Sequence, residues 1–155
     1  MPGRIEARLK ELGLELPPAH QPVANYVGFV TVGREVHVSG VGPTWGQSIR
    51  HAGKIGRELG YEDGYQAARL TALNLLAHAK AACDGNLDRI ERCVKLLCLV
   101  NAVPEYMDAQ KIANGATDLL TEIFGADKRP ARTTTAVPSL PFDIAFEADG
   151  IFLIR

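Results

Sequence analysis

Apolar residues recur at helical spacing in three segments of the chain. Ile5 and Leu9 share one side of the first segment, residues 3–13. Alanine, leucine and isoleucine repeat with the same period in two longer segments, about 64–83 and about 104–125, and each segment is followed by or ends at a glycine. The pattern predicts a short N-terminal helix and two longer helices.

Other apolar segments have the two-residue period of strands. Alternation on both sides of Gly33 predicts a hairpin over residues 26–40. Residues 92–103 are apolar at both phases of the alternation, which is typical of a strand buried on both faces. Two further strands are predicted over about 131–138 and 143–154, and we expect these two to pair as a hairpin.

The predicted order α–ββ–α–β–α–ββ requires at least one crossover connection. We therefore predict a single α+β domain, a mixed sheet with two main helices on one face and an additional N-terminal helix. Residues 1–20 form an N-terminal extension, and the glycine-rich residues 41–60 are predicted to be a long functional loop. Because such a sheet leaves one face uncovered, we expect self-association.

The composition fits an ordinary globular protein, with 46% hydrophobic and 23% charged residues. No run approaches the roughly 18 apolar residues of a membrane span, and the N-terminus lacks the apolar segment of a secretory signal. Cys83, Cys93 and Cys98 are predicted to be buried free thiols of a reducing compartment. These features predict a cytoplasmic protein that does not associate with membranes.

Charge and motif content exclude several functions. A net charge of −1 without lysine or arginine runs argues against nucleic-acid binding. The four histidines lack metal-ligand spacing, so we expect neither a metal nor another cofactor. Gly53-Lys54 is not a phosphate loop, because the required preceding glycine is Ser48. Ser39 lacks the glycine pattern of a hydrolase nucleophile.

The C-terminal segment carries the strongest chemical signal. Arg132 begins a strand that looks buried, where a guanidinium is costly unless an anion pairs with it. Thr133, Thr134 and Thr135 follow, and Glu147 lies on the predicted partner strand. Two interpretations stay open from the spacing: a structural Arg132–Glu147 ion pair, or a site at which Arg132 binds an anionic ligand.

Several short motifs, in order and at matching separations, resemble those of the RidA/YjgF family. That family includes enamine/imine deaminases and proteins labelled L-PSP endoribonucleases. The resemblance extends from Tyr26 to Phe152. It rests on Tyr26-Val27, Val38-Ser39-Gly40, Gly64-Tyr65-Gln66-Ala67-Ala68-Arg69 with Leu73-Asn74, Asn114, Pro130-Ala131-Arg132, Leu140-Pro141 and Glu147.

The resemblance implies a chorismate-mutase-like fold and a homotrimer with three clefts between subunits. It assigns Arg132 to the substrate carboxylate and Glu147 to the attacking water. Four further residues match family positions at or near the cleft: Tyr26, Gly40, Asn114 and Thr134. The implied reaction is hydrolysis of a 2-imino acid, or its enamine, to a 2-oxo acid and ammonia. The alternative is a non-catalytic protein that binds a carboxylate metabolite in the same cleft.

Three departures from the family pattern mark a divergent branch. Thr134 stands where cysteine is frequent, and Asp149 occupies the second acidic position of a Glu-Ile-Glu run. The N-terminal extension and the 41–60 loop are additional. We expect Trp45 or its neighbours to border the cleft, the alternative being that Trp45 packs against the domain. A ribonuclease is disfavoured, since neither a histidine pair nor a lysine-rich groove is evident.

Overall fold

The computed structural model describes residues 2–155. Its helices are α1 (Arg4–Glu11), α2 (Tyr61–Ala82) and α3 (Ala109–Phe124), with short 3-10 turns at Leu87–Arg89, Ala126–Lys128 and Pro141–Asp143. Its strands are β1 (Phe29–Val32), β2 (Glu35–Val41), β3 (Thr44–Trp45), β4 (Ser48–Ile49), β5 (Ile90–Asn101), β6 (Ala131–Val137) and β7 (Phe146–Ile154). Among the helices of residues 2–155, none has the length and apolar character needed to cross a bilayer.

Five strands form a mixed sheet in the order β1-β2-β7-β5-β6. β5 and β6 run parallel, whereas the other neighbouring strands are antiparallel. A parallel pair needs a crossover, and α3 supplies it between β5 and β6. The predicted α+β architecture with a mixed sheet is confirmed.

Buried and partly exposed residues alternate along β7, and the buried ones identify the face of the sheet that packs against the helices. Phe146, Ala148 and Phe152 are fully buried on the side of the sheet that carries the helices. α2 and α3 approach each other closely at Gly115, where a Cβ would lie 2.2 Å from the carbonyl oxygen of Tyr65. The core therefore lies between the sheet and these two helices.

The other face of the sheet is only partly covered. Leu97 and Leu99 of β5 and Ile151 and Leu153 of β7 point to it, and each retains intermediate exposure. Four large aliphatic side chains on one sheet face form a surface suited to association with another copy.

The strand order contradicts one prediction. β6 and β7 were expected to pair as a hairpin, but β5 lies between them and pairs with both. β5 is apolar at both phases because it is a central strand, whereas β6 arrives at the sheet edge through the α3 crossover. The predicted hairpin over residues 131–138 and 143–154 was therefore wrong.

Two further segments differ from the prediction, one in where a helix begins and the other in its secondary structure. α3 begins at Ala109, because Pro104 and Glu105 form a turn in which the Tyr106 N–H donates to the carbonyl of Val103 (3.0 Å). The 41–60 segment is not wholly irregular, since β3 and β4 form a small ribbon within it.

A buried amide at the end of β5 fixes the loop that leads to β7. The Nδ2 group of Asn101 lies within hydrogen-bond distance of Gly53 O (3.3 Å), Asp143 Oδ1 (3.1 Å) and Ile144 O (3.2 Å). Lys54 Nζ donates to Asn101 Oδ1 (2.6 Å). Lys54 thus has a structural role, and the network holds residues 141–144 beside the pocket described below.

Candidate functional site

The guanidinium of Arg132 lies between β6 and α3. Its Nη1 donates to Asn114 Oδ1 (2.9 Å) and Thr117 Oγ1 (3.1 Å), and its Nη2 donates to Gln110 O (3.1 Å). An arginine carries five N–H donors. The Nε–H and one Nη2–H therefore have no partner within residues 2–155. α3 holds the guanidinium in place while two donors remain for a ligand, enough for a paired contact with a carboxylate.

Thr134 adds a hydroxyl on the same side of β6. In the part of the chain that the structure describes, its Oγ1 is buried, and the group nearest to pairing with it is the Cys98 thiol. Cys98 lies beside it in register on β5. Burial raises the pKa of the Cys98 thiol to about 12, although the charge of Arg132 acts in the opposite direction, so the thiol stays protonated. Arg132, Asn114 and Thr134 form what we call the arginine half-site.

A pocket of about 490 Å³ lies where β1 begins and β2 ends. The sequence-predicted residues Tyr26, Gly40 and Glu147 all line it, and we call this group the glutamate half-site. Much of the remaining wall is apolar, with contributions from Val23, Val41, Ile49, Phe142 and Ile144.

The carboxyl of Glu147 is available for chemistry. No group in residues 2–155 donates a hydrogen bond to it. A Cβ at position 40 would lie 3.5 Å from Glu147 Oε1, so Gly40 leaves room beside the carboxyl. Burial, and after it the charge of Asp149, raises the pKa of Glu147 above its usual value. Both features suit a carboxyl group that takes up a proton.

The two half-sites are separated within one chain. Arg132 aligns with Leu96 of β5 on the helix side, whereas Glu147 aligns with Leu99 on the opposite face. β5 lies between them, with three positions of offset along it. Across residues 2–155, neither Arg132 nor Glu147 takes part in a salt bridge, so the structural ion pair left open by the sequence is not formed.

The 41–60 segment reaches the pocket through residues beside Trp45. Thr44, Gln47 and Ile49 line the pocket, while Trp45 is not among its lining residues in the described chain and is 36% exposed. The neighbours of Trp45, rather than its indole, therefore border the site.

Sequence reasoning missed two lining residues, His20 and His78. His20 belongs to the N-terminal extension, and His78 lies on the buried face of α2 among alanines and leucines. No pattern distinguishes such a histidine from a core residue. Residues 2–155 contain no cluster of three or more histidine, cysteine, aspartate or glutamate side chains arranged to hold a metal ion.

Together, the fold and the site residues define a chorismate-mutase-like α+β protein. The family model described as "YjgF/chorismate mutase-like, putative endoribonuclease" matches residues 6–146. Protein TCP17 of Trypanosoma cruzi is 40% identical over 150 residues, covering 96% of this chain and 93% of the relative. The chain therefore belongs to the RidA/YjgF family, which confirms the family predicted from the sequence motifs.

Two solved structures share the fold over nearly the whole chain. A protein of unknown function from Agrobacterium tumefaciens is 40% identical, with a TM-score of 0.90 and coverage of 98% of this chain and 93% of that one. A "putative endoribonuclease" from Shewanella oneidensis is 32% identical, also with a TM-score of 0.90, and coverage is 97% and 99%.

Proposed function

We propose that the protein hydrolyses reactive 2-imino acids, or their enamine tautomers, to 2-oxo acids and ammonia. The active site forms where the arginine half-site of one copy meets the glutamate half-site of another. The observation that carries this proposal is the position of Arg132 and Glu147 on opposite faces of the sheet, each with unused hydrogen-bonding capacity. Membership of the RidA/YjgF family supports this class of chemistry.

The proposed assembly is a homotrimer. In a closed ring, each copy presents its arginine half-site to one neighbour and its glutamate half-site to the other. The aliphatic face formed by Leu97, Leu99, Ile151 and Leu153 supplies apolar surface for such contacts. The number three follows from the family resemblance rather than from the surface itself.

The chemistry needs only the groups present. The two unpartnered N–H groups of Arg132 bind the substrate carboxylate. Water adds to the protonated imine carbon, and its proton passes to Glu147. The proton then returns to nitrogen, the carbon–nitrogen bond breaks and the hydroxyl proton is released as the carbonyl forms. Ammonia and a 2-oxo acid leave without a cofactor.

Ammonia release tests this function directly. Imino acids generated freshly from several amino acids should lose ammonia faster with the protein than without it, and sedimentation should give about three times the 16.7 kDa chain mass. Binding of 2-oxo acids without faster ammonia release would instead favour the non-catalytic metabolite-binding protein. A stable, active monomer would contradict the shared site.

Activity should fall in acid because Glu147 must be ionised to accept a proton. Since burial raises the pKa of Glu147, the acid limb of kcat/KM is expected above the ordinary glutamate value of 4.5. Activity is retained above this raised pKa and lost as the pH decreases through it. The measurement is ammonia release across a pH series, corrected for spontaneous imine hydrolysis. An acid limb at or below the ordinary value would contradict a role for Glu147 as the base.

The same purified protein should leave RNA intact. The relatives' description as endoribonucleases raises the question, but the net charge of −1 provides little attraction for phosphates. RNA cleavage that follows the oligomer through purification and disappears in Arg132→Ala would overturn this expectation.

A further inference from the structure

One buried polar side chain in the pocket has no role in the proposed reaction. His78 on α2 is 5% exposed and lines the same pocket as Glu147. Within residues 2–155 its ring makes no hydrogen bond. Because its ring nitrogens are not completely buried, they can pair with a polar group that enters the pocket. Its position at the pocket wall therefore makes the imidazole available to a polar group of a bound ligand.

The backbone beside His78 leaves space for the ring. A Cβ at position 28 would come within 2.8 Å of both Cε1 and Nδ1 of His78, so the ring packs directly against Gly28. Gly28 precedes β1, and its carbonyl accepts a hydrogen bond from the Ser39 N–H (2.9 Å). The imidazole is thus fixed between a helix and a backbone segment that is itself held by the sheet.

We propose that this end of the pocket receives the substrate side chain and that His78 hydrogen-bonds an uncharged polar group at its tip, a hydroxyl or an amide. The assignment rests on the proposed function, which places the carboxylate end of the substrate at Arg132 and the reacting carbon near Glu147. It adds a specificity-determining residue and a substrate class.

The surroundings favour an uncharged tip. The pocket lining contains no lysine or arginine, so a second carboxylate would lack a permanent cation. Burial, and after it the nearby His20, lowers the pKa of His78, so the ring is neutral near pH 7. A neutral imidazole has one donor and one acceptor nitrogen. A hydroxyl or amide can pair with either, whereas the apolar wall from Val23, Val41 and Ile49 accommodates the rest of the side chain.

Two 2-oxo acids that differ by one hydroxyl test this inference. Calorimetry should show that para-hydroxyphenylpyruvate binds the wild-type oligomer at least about threefold more tightly than phenylpyruvate, the gain of one hydrogen bond. His78→Leu should abolish that preference while phenylpyruvate still binds, and His78→Gln should retain part of it. His51→Asn is the histidine control, because His51 lies outside the pocket lining and asparagine tolerates its positive φ of 52°.

The measurement is independent of turnover. Three results would each overturn the role of His78: equal wild-type affinities for the two acids, binding of neither acid, or an unchanged preference in folded His78→Leu. Thermal melts establish that the variants are folded, and equal wild-type affinities would overturn the role of His78 even where His78→Leu does not fold. Failure to release ammonia would contradict the proposed function alone, because calorimetry reads binding without deamination.

Discussion

Glu147→Gln is expected to slow ammonia release by roughly 10²-fold or more while leaving the assembly and ligand binding largely intact. Glutamine keeps the shape of the side chain but cannot take up the proton of the attacking water. The carboxyl makes no hydrogen bond within residues 2–155, so the substitution breaks no hydrogen bond there. Binding of a 2-oxo acid, measured by calorimetry, should therefore change much less than turnover.

Arg132→Lys should act on binding. The guanidinium contacts Asn114, Thr117 and the Gln110 carbonyl and still has two N–H groups free. An ammonium has three donors on one atom, so it cannot hold these contacts and also pair with a planar carboxylate. Loss of such a contact typically costs about 2–5 kcal/mol, a decrease in affinity of roughly thirtyfold or more.

Thermal melts, ligand titration and ammonia release on the same proteins separate these effects. Arg57→Lys and Glu15→Gln are matched controls, since both side chains are exposed and neither lines the pocket. An assembled Glu147→Gln protein with wild-type turnover would rule out the proposed base. Equal losses of stability in both site variants, with no selective change in binding or turnover, would indicate that the two residues have only a structural role.

The secondary structure could be predicted because its signals are local. The spacing of apolar residues predicted α2 and α3, and the double-phase apolar pattern of residues 92–103 predicted the central strand β5. The neighbours of each strand could not be predicted in this way. A short connection between β6 and β7 favoured a hairpin, whereas the hydrogen bonds of Asn101 hold that connection at the end of the intervening strand β5.

Some residues of the candidate site could be predicted from sequence motifs, whereas others could not. Short motifs singled out Arg132 and Glu147, but their places on opposite faces depend on two registers with β5, which no local pattern encodes. Asn114 emerged from a motif, and the structure shows its contact with Arg132. His78 gave no signal, because one histidine on an apolar helix face looks like a core residue until the pocket beside it is known.

A mixture of two inactive variants should regain activity if the site is shared between copies. In oligomers co-assembled from equal amounts of Arg132→Ala and Glu147→Gln chains, an interface is complete when the first variant supplies Glu147 and the second supplies Arg132. Random assembly into a ring gives about one quarter of the interfaces this composition. Ammonia release by the co-expressed mixture should therefore approach a quarter of wild-type activity, although each variant alone is nearly inactive.

The matched control uses wild-type chains co-assembled in equal amounts with the double variant Arg132→Ala, Glu147→Gln. A site shared between neighbours requires two adjacent wild-type chains, so about a quarter of the interfaces are active here as well. A site contained within one chain would instead leave about half of the activity in this control and none in the mixture of single variants. Half of the activity in the control, together with none in the mixture, would contradict the shared site. Arg132 and Glu147 would then have to meet within one copy, although β5 separates them.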